Sequence, residues 1–322
     1  ILCKELTNIL RFLVIRLTLI LVTLFSVSIA IFAATEFLPG DAASLLLGQQ
    51  KTPENLKALQ VKMGLDRHPV ERYYKWISRA VQGDLGLSPR SGASINEMIG
   101  RRLPNSALLA FIAFGVAVPT SLAAGVLAGI YPDSRLDRFL SIGSLLTISV
   151  PEFIIGVLLM LIFSSKLGWL PSSTIMLPGE TITSKPEVLV LPVITITGAL
   201  FAYILRMARA NVIEVMESNY VRTAILKGIP MRKVVIKHVL PNALIPTVTV
   251  IANNVGWMFG GIIIVEFVFA YPGVGSLLIM AIDTRDMRLL QSTAMVIASV
   301  YAFSNLAADL VYGMLNPRIR YG

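Results

Sequence analysis

Six apolar stretches, each long enough to cross a lipid bilayer, constrain this chain more than any other feature. They cover residues 9–34, 106–130, 139–165, 188–210, 241–269 and 289–314. A helix needs about 20 apolar residues to span the hydrocarbon core. Of the 322 residues, 55% are hydrophobic and only 15% are charged, which excludes an ordinary soluble domain. We expect an all-α polytopic membrane protein with six transmembrane helices.

The distribution of basic residues predicts how these helices are oriented. One side of the membrane would hold residues 1–16, 131–138, 206–238 and 315–322. These stretches contain fourteen Lys and Arg, whereas the short connections 166–187 and 270–288 contain four. Short cytoplasmic loops are enriched in Lys and Arg, and long segments such as 35–105 cross regardless of charge. Both termini are therefore expected in the cytoplasm, and the net charge of +9 needs no nucleic-acid partner.

A basic, amphipathic segment at residues 220–241 interrupts the apolar sequence. Gly228 can take the left-handed conformation that ends a helix, and Pro230 suits the first turn of a new one. His238 is interpreted as a cation at a helix C-terminus. The segment is predicted to form an elbow of two helices that projects from the membrane into the cytoplasm.

The spacing in this elbow resembles the EAA loop of ABC importer permeases. Ala224 is followed after three residues by Gly228, and the segment ends at Leu240-Pro241. Arg222 and Thr223 replace the first two letters of the motif, and His238 replaces its usual isoleucine, as is typical of the dipeptide/oligopeptide/nickel branch. Further blocks that resemble this branch are Leu38–Asp41, Gly64–Arg67, Gly83–Gly86, Arg102–Pro104, Glu266–Gly275, Arg285-Asp286 with Gln291, and Asn316–Arg318.

The resemblance implies a type I importer permease fold and the B-type subunit of a bacterial inner-membrane importer. Implied partners are a second, homologous permease, two cytoplasmic P-loop ATPases and an extracytoplasmic substrate-binding protein. ATP and Mg would bind the ATPases, and this chain would bind no cofactor. The predicted organisation is an N-terminal helix with an extracytoplasmic helical segment (1–103), a permease core (104–314) with a coupling loop at 219–241, and a cytoplasmic tail (315–322).

By the same resemblance, the elbow couples the permease to its ATPases. The coupling residues would be Arg222, Thr223, Ala224, Lys227, Gly228, Arg232, His238, Leu240 and Pro241. Ala224 and Gly228 would allow close docking, the charged residues would flank the docking socket, and Leu240-Pro241 would join the elbow to the fifth helix. Five positions match family motifs and are assigned structural roles: Glu266, Pro272, Gly273, Gly275 and Asp309.

Polar and small residues within the apolar windows are candidates for a translocation path, because ionisable groups are costly in hydrocarbon. Glu152 follows Pro151, where a kink is expected, and is a pore-lining candidate. Asn253 and Asn254 could contact substrate or bond neighbouring helices. Gly256, Gly260 and Gly261 would let another backbone approach, either at a subunit interface or within the chain.

The long segment 35–105 is expected to contain two helices outside the membrane. One opens at Pro69 and carries an apolar stripe. The stripe comprises Val70, Tyr73, Tyr74, Ile77 and Val81. Two interpretations remain open: the stripe packs on the permease or the lipid interface, or it receives the binding protein.

Motifs for catalysis are missing from the sequence. No GxxxxGK[ST] phosphate loop occurs, and neither His68 nor His238 has the spacing of a metal site, so we expect neither ATP hydrolysis nor a metal site in this chain. The transported solute is expected to be a peptide or peptide-like molecule, although the branch also carries nickel, glutathione and opines. The alternatives are a proton-coupled secondary transporter using Glu152, Glu266 and Asp309, and a scaffold without transport activity.

Overall fold

The computed structural model describes residues 2–37, 52–63, 66–175 and 182–315, and this part of the chain is almost entirely helical. The helices are α1 (Leu2–Phe37), α2 (Pro53–Met63), α3 (Pro69–Val81), α4 (Ile95–Ile130), α5 (Arg135–Ser149), α6 (Glu152–Leu159), α7 (Glu187–Met216), α8 (Asn219–Leu226), α9 (Met231–Val234), α10 (Leu240–Val268), α11 (Val274–Asp283) and α12 (Met287–Leu315). Two π-helical turns, Met160–Lys166 and Val235–Val239, extend α6 and join α9 to α10. The motif blocks at 38–41 and 316–318, and residues 64 and 65, lie outside the described residues.

Among the described residues, five helical segments are long and apolar enough to cross a membrane, which confirms the predicted class. They are Arg11–Phe37, Ile95–Ile130, Glu187–Met216, Met231–Val268 and Met287–Leu310. The third predicted window, 139–165, is not one straight helix, because α5 and the helix that begins at Glu152 meet at 107°. Val150 and Pro151 both have extended backbones, as expected for a proline and the residue before it. The count is six only if this bent pair is one span.

The chain divides into two compact units, of which the first comprises residues 1–106 and 272–303. In this unit α3 packs on the C-terminal part of α1. Tyr73 hydrogen bonds to Ser28 (2.8 Å), Phe32 lies edge-on to Tyr73, and Arg72 pairs with Glu36. Part of the α3 stripe therefore packs on the permease itself. Val70, Tyr74 and Val81 stay exposed.

Within the same unit, side chains of α4 hold the irregular backbone that precedes α11. Asn105 donates to the carbonyl of Pro272 (2.8 Å), and Ser106 accepts from the N–H of Val274 (2.8 Å). Arg102 donates to Ser276 Oγ (3.1 Å). An irregular backbone in an apolar environment needs such partners. The backbone before and at the start of α11 is therefore held by residues 167 to 174 positions earlier in the chain.

The second unit comprises residues 107–271 and 304–322, and α7 forms its centre. Helix α4 approaches the backbone of α7 at Gly125 and Gly129. A methyl group at Gly125 would lie 2.6 Å from the Leu205 carbonyl oxygen, and one at Gly129 would lie 2.7 Å from Val212 Cβ. Only glycine fits at either position, as at other close helix contacts in membranes.

An ion pair joins α5 to α7 in this unit. Arg209 binds both carboxylate oxygens of Asp137, at 2.5 and 2.7 Å. The same carboxylate accepts from the N–H of Asp133 (2.9 Å) and from Ser141 Oγ (3.2 Å). Asp137 is buried, and its charge is matched in the bidentate geometry that arginine favours.

Candidate functional site

The elbow predicted at 219–241 begins with helix α8, whose end is closed by a set of backbone hydrogen bonds. Gly228 has φ +74°, and its N–H donates to the Ile225 carbonyl (2.9 Å). The N–H of Ile229 donates to the Ala224 carbonyl (3.3 Å). This pair of bonds is the Schellman motif, which requires the left-handed residue that glycine supplies. The predicted role of Gly228 in the backbone is thus confirmed.

The inner side of the elbow packs into the second unit. Buried apolar side chains come from α7, α8, α9, the π-helical turn and α10: Val212, Val221, Ala224, Val234, Val239 and Ala243. Ala224 therefore faces the chain's own core, and its burial does not support the expectation that it admits a partner.

The outer side of the elbow is exposed and combines apolar with basic residues. Leu226 is 81% exposed and Met231 47%. The basic residues on this surface are Arg222, Lys227, Arg232, Lys233 and Lys237. Thr223 is exposed too, and its hydroxyl donates to the Asn219 carbonyl of the same helix (2.8 Å). A methyl group at Gly228 would meet no neighbouring side chain or backbone of the described residues within 4 Å.

The second limb of the elbow runs without interruption into a membrane-spanning helix. Residues Met231–Val268 form one helical segment of 38 residues. The expectation that Pro230 lies in the first turn is wrong, because Pro230 is the N-cap residue before the helix begins. The expectation that His238 lies at a helix C-terminus is also wrong, because His238 lies inside the helix, where its carbonyl accepts from Asn242 (2.9 Å). Pro241 has no N–H to donate, so the ladder lacks one bond next to the π-helical turn.

The path candidates fall on different faces of α10. Asn253 and Gly260 are exposed, together with Trp257, and they recur at helical spacing on one face. The neighbouring Asn254 donates to its own helix at Val250 (2.8 Å), and Gly256 is buried. We call the face of α10 that carries Asn253, Trp257 and Gly260 its open face. Of the four path candidates on α10, only Asn253 and Gly260 lie on it.

Glu152 lies at the first position of α6, and its half-buried side chain reaches α10. A methyl group at Gly261 would overlap the carboxylate Oε2 and would lie 3.1 Å from Cδ. Gly261 therefore makes room for a side chain of α6, whereas the sequence predicted close approach of another backbone.

The family-motif residues lie near the C-terminal end of α10 and beyond it. Glu266 is fully buried, and its carbonyl accepts from the N–H of Tyr271 (2.7 Å). Burial, reinforced by the Glu266 carboxylate, raises the pKa of the Tyr271 phenol above its ordinary value. Pro272 and Gly273 form the extended link to α11, and Gly275 is buried in its first turn. Asp309 is half-buried in α12.

Several contacts that organise this site were missed by sequence reasoning. Besides Asp137 and Arg209, Asn211 of α7 donates to Thr247 of α10 (3.0 Å), and both are buried. The available signal was an arginine and an asparagine within or next to an apolar window. Across the described ranges, His, Cys, Asp and Glu form no group of three that could hold a metal.

Comparison with known proteins identifies the family. The model for the binding-protein-dependent transport system inner membrane component matches residues 121–321, and the model for the N-terminal part of such membrane components matches residues 9–110. The chain belongs to this family and is a multi-pass inner-membrane permease subunit of an ABC importer. It is thus not an enzyme, and ATP hydrolysis is carried out by other subunits of such importers.

Similar proteins are glutathione transport system permease proteins GsiC. They include those of Escherichia coli strain K12, E. coli O6:H1 strain CFT073 and Shigella flexneri serotype 5b strain 8401. Each is 34% identical over 312 residues, which cover 97% of this chain and 99% of the relative. The resemblance drawn from the EAA-like loop is confirmed. The proton-coupled alternative with Glu152, Glu266 and Asp309 finds no support.

Proposed function

We propose that the elbow, residues 219–241, transmits the ATPase cycle to the membrane helices of this permease. The supporting observation is its two-sided construction. One side is packed into the chain's own core, while the other presents Leu226 and Met231 among basic residues. An apolar surface with a charged rim fits a protein partner, here a cytoplasmic P-loop ATPase that binds ATP and Mg.

The proposed mechanism is alternating access. ATP drives it by binding one state of the ATPase dimer more tightly than the other, since a ligand shifts an equilibrium only through differential affinity. Closure of that dimer would move the elbow, and Met231–Val268 would tilt with it because the second limb and α10 are continuous. The cavity would then open toward the extracytoplasmic binding protein.

A second, homologous permease would complete the translocation path. The open face of α10, which carries Asn253, Trp257 and Gly260, is the surface proposed to line that path in the heterodimer. The Glu152 carboxylate lies beside this face, in the space that Gly261 leaves. The elbow and both termini would lie in the cytoplasm, in agreement with the excess of Lys and Arg in 206–238.

Peptide-like solutes are the proposed substrates. Relatives named as glutathione transport permeases match nearly the whole chain, and glutathione is a tripeptide. This proposal narrows the range expected from the sequence, in which nickel and opines were also open.

The test is uptake by the whole importer in liposomes, with binding protein outside and ATP inside, measured with glutathione and trialanine. We expect ATP-dependent uptake by the native complex. Gly228→Val should keep the complex assembled but separate ATP hydrolysis from uptake, because a β-branched residue resists φ +74° and would move the limbs of the elbow.

Gly168→Val is the matched control. Gly168 also follows a helix end and has φ +63°, and an added methyl group would have no described neighbour within 4 Å. It carries the same local strain but lies outside the elbow, and uptake should remain coupled to hydrolysis. Equal loss of coupling in both variants, or full coupling in Gly228→Val, would count against the elbow as the coupling element.

A further inference from the structure

We propose that the Glu152 carboxylate binds the ammonium group of the transported solute as it passes the junction of α6 and α10. The inference rests on the proposed function and adds the ligand chemistry of one position in the path. Four observations on the second unit support it: the placement of the carboxylate, its lack of a partner among the described residues, its neighbours and the distance along α10 between Asn253 and Gly261.

The placement is determined by the bend before α6 and by a glycine on α10. The 107° turn at Val150-Pro151 directs the first residue of α6 toward α10, and the carboxylate occupies the space that Gly261 leaves. Any other residue at 261 would displace it. The carboxylate is therefore held beside the open face of α10.

Within the part of the chain that the structure describes, the charge of Glu152 is not matched. Among the described residues, no hydrogen-bond donor and no cation pairs with its carboxylate. Asp137 in the same unit shows the contrasting case, since Arg209 and two further donors satisfy it. An ionisable group inside an apolar segment is costly, and such groups mark sites for substrates or ions. A cationic ligand would supply the missing partner.

The surroundings favour an elongated molecule with a cationic end. Gly260, next to Gly261, is exposed on the open face together with Asn253. Asn253 and Gly261 are eight residues apart, or about 12 Å along a helix. An extended tripeptide is about 10 Å long. The carboxylate could therefore accept hydrogen bonds from a peptide ammonium while the amide of Asn253 binds the distal part.

The other physical explanation for Glu152 is its position at a helix N-terminus, where the helix dipole stabilises a negative charge. Glu187 provides the matched control, because it is likewise the first residue of a helix and likewise follows a proline. It is exposed. If the dipole alone explained Glu152, neutralising either glutamate would have the same effect on transport.

The experiment measures uptake by the whole importer in liposomes for glutathione and trialanine, each with a free and with an acetylated amino group. Glu152→Gln should raise the KM for the free-amine peptides by about tenfold, as expected when a charge-assisted hydrogen bond is lost. The acetylated peptides should be affected little. Gly261→Ala keeps the charge but moves the flexible end of Glu152, so it should also raise the KM for the free-amine peptides relative to the acetylated ones. Glu187→Gln should leave this ratio of KM values unchanged.

The outcomes separate this inference from the proposed function. ATP-dependent uptake that falls equally for free and acetylated peptides in Glu152→Gln, or does not change, would overturn the ammonium site alone. A native complex that takes up neither free peptide with ATP would overturn the peptide-importer proposal and the ammonium site with it.

Discussion

The ion pair between Asp137 and Arg209 provides a buried carboxylate of the second unit with a counter-charge and with further hydrogen-bond donors. The hydrogen bonds to the Asp137 carboxylate come from three parts of the structure: two from Arg209 of α7, one from the loop before α5 and one from the next turn of α5. Because Arg209 lies seven residues before the end of α7, the pair joins α5 to the helix that leads into the elbow.

Asp137→Asn should destabilise the folded permease. The change leaves the Arg209 guanidinium partly buried without a counter-charge, and breaking such a pair costs about 3 kcal/mol. Thermal unfolding of the purified complex in detergent would measure the loss. Replacing Arg209 with Met as well should recover part of it, because the unpaired charge is then removed.

Asp133→Asn is the control for this change. Asp133 is exposed, has φ +59° and contributes only its backbone N–H to the Asp137 carboxylate. Asparagine tolerates this left-handed conformation, so the variant should unfold like the native protein. A destabilisation as large as that of Asp137→Asn would show that local charge, not the ion pair, determines stability here.

At the scale of elements, the sequence predicted the features that depend on local backbone preferences. The apolar windows, the break at Pro151 and the left-handed Gly228 all follow from properties of a few consecutive residues. Helix-to-helix contacts did not follow in the same way. Close approach was expected at glycines of α10, yet Gly125 and Gly129 of α4 make it. Apolar helices carry glycine on several faces, and the sequence does not tell which face meets a neighbour.

The same limit explains the polar contacts. Asn253 and Asn254 were candidates for bonds between helices, but the bond between α7 and α10 is made by Asn211 and Thr247. A buried amide is informative only when its partner is known, and that partner lies 36 positions away. Ala224 was likewise expected on a partner surface, whereas it is buried in the chain's own core. The motif gives the spacing of residues along the elbow but does not tell which side of the elbow faces inward.

Gly125→Ala should weaken the contact between α4 and α7. The added methyl group would lie 2.6 Å from a backbone oxygen that cannot rotate away, so the helices must separate. This cost opposes the gain of about 1 kcal/mol that alanine normally brings to a helix. The yield and thermal stability of the purified permease should both fall.

Gly115→Ala in the same helix is the matched comparison. In the described part of the chain, no neighbouring group lies within 4 Å of a methyl group at Gly115, so only the gain in helix propensity remains. Stability should stay the same or rise. If both variants are equally stable, the tight contact at Gly125 does not hold α4 against α7.

At the scale of the whole molecule, the charge bias predicts which surfaces face the cytoplasm. Single cysteines at Leu226 in the elbow and at Trp169 after α6 test this, in a chain whose Cys3 has been replaced. Both positions are exposed, at 81% and 70%. A membrane-impermeant thiol reagent should label position 169 in intact spheroplasts, and position 226 only after the membrane is opened.

Two results would contradict this topology. Labelling of position 226 from outside would reverse the orientation and place the elbow beyond the reach of a cytoplasmic ATPase. Labelling of both positions from the same side would mean that the segments between them cross the membrane an even number of times.

The continuity of Met231–Val268 also has a consequence for how such permeases can change their length. A helix turns by 100° per residue. Insertion of one residue between the elbow and Asn253 would rotate the open face of α10 by about 100° relative to the elbow. This would happen even if the inserted residue favoured a helix. Loops tolerate such insertions readily. The number of residues between the elbow and the open face of α10 is thus constrained by the direction in which that face must point. Insertions and deletions that distinguish related chains are expected outside this segment.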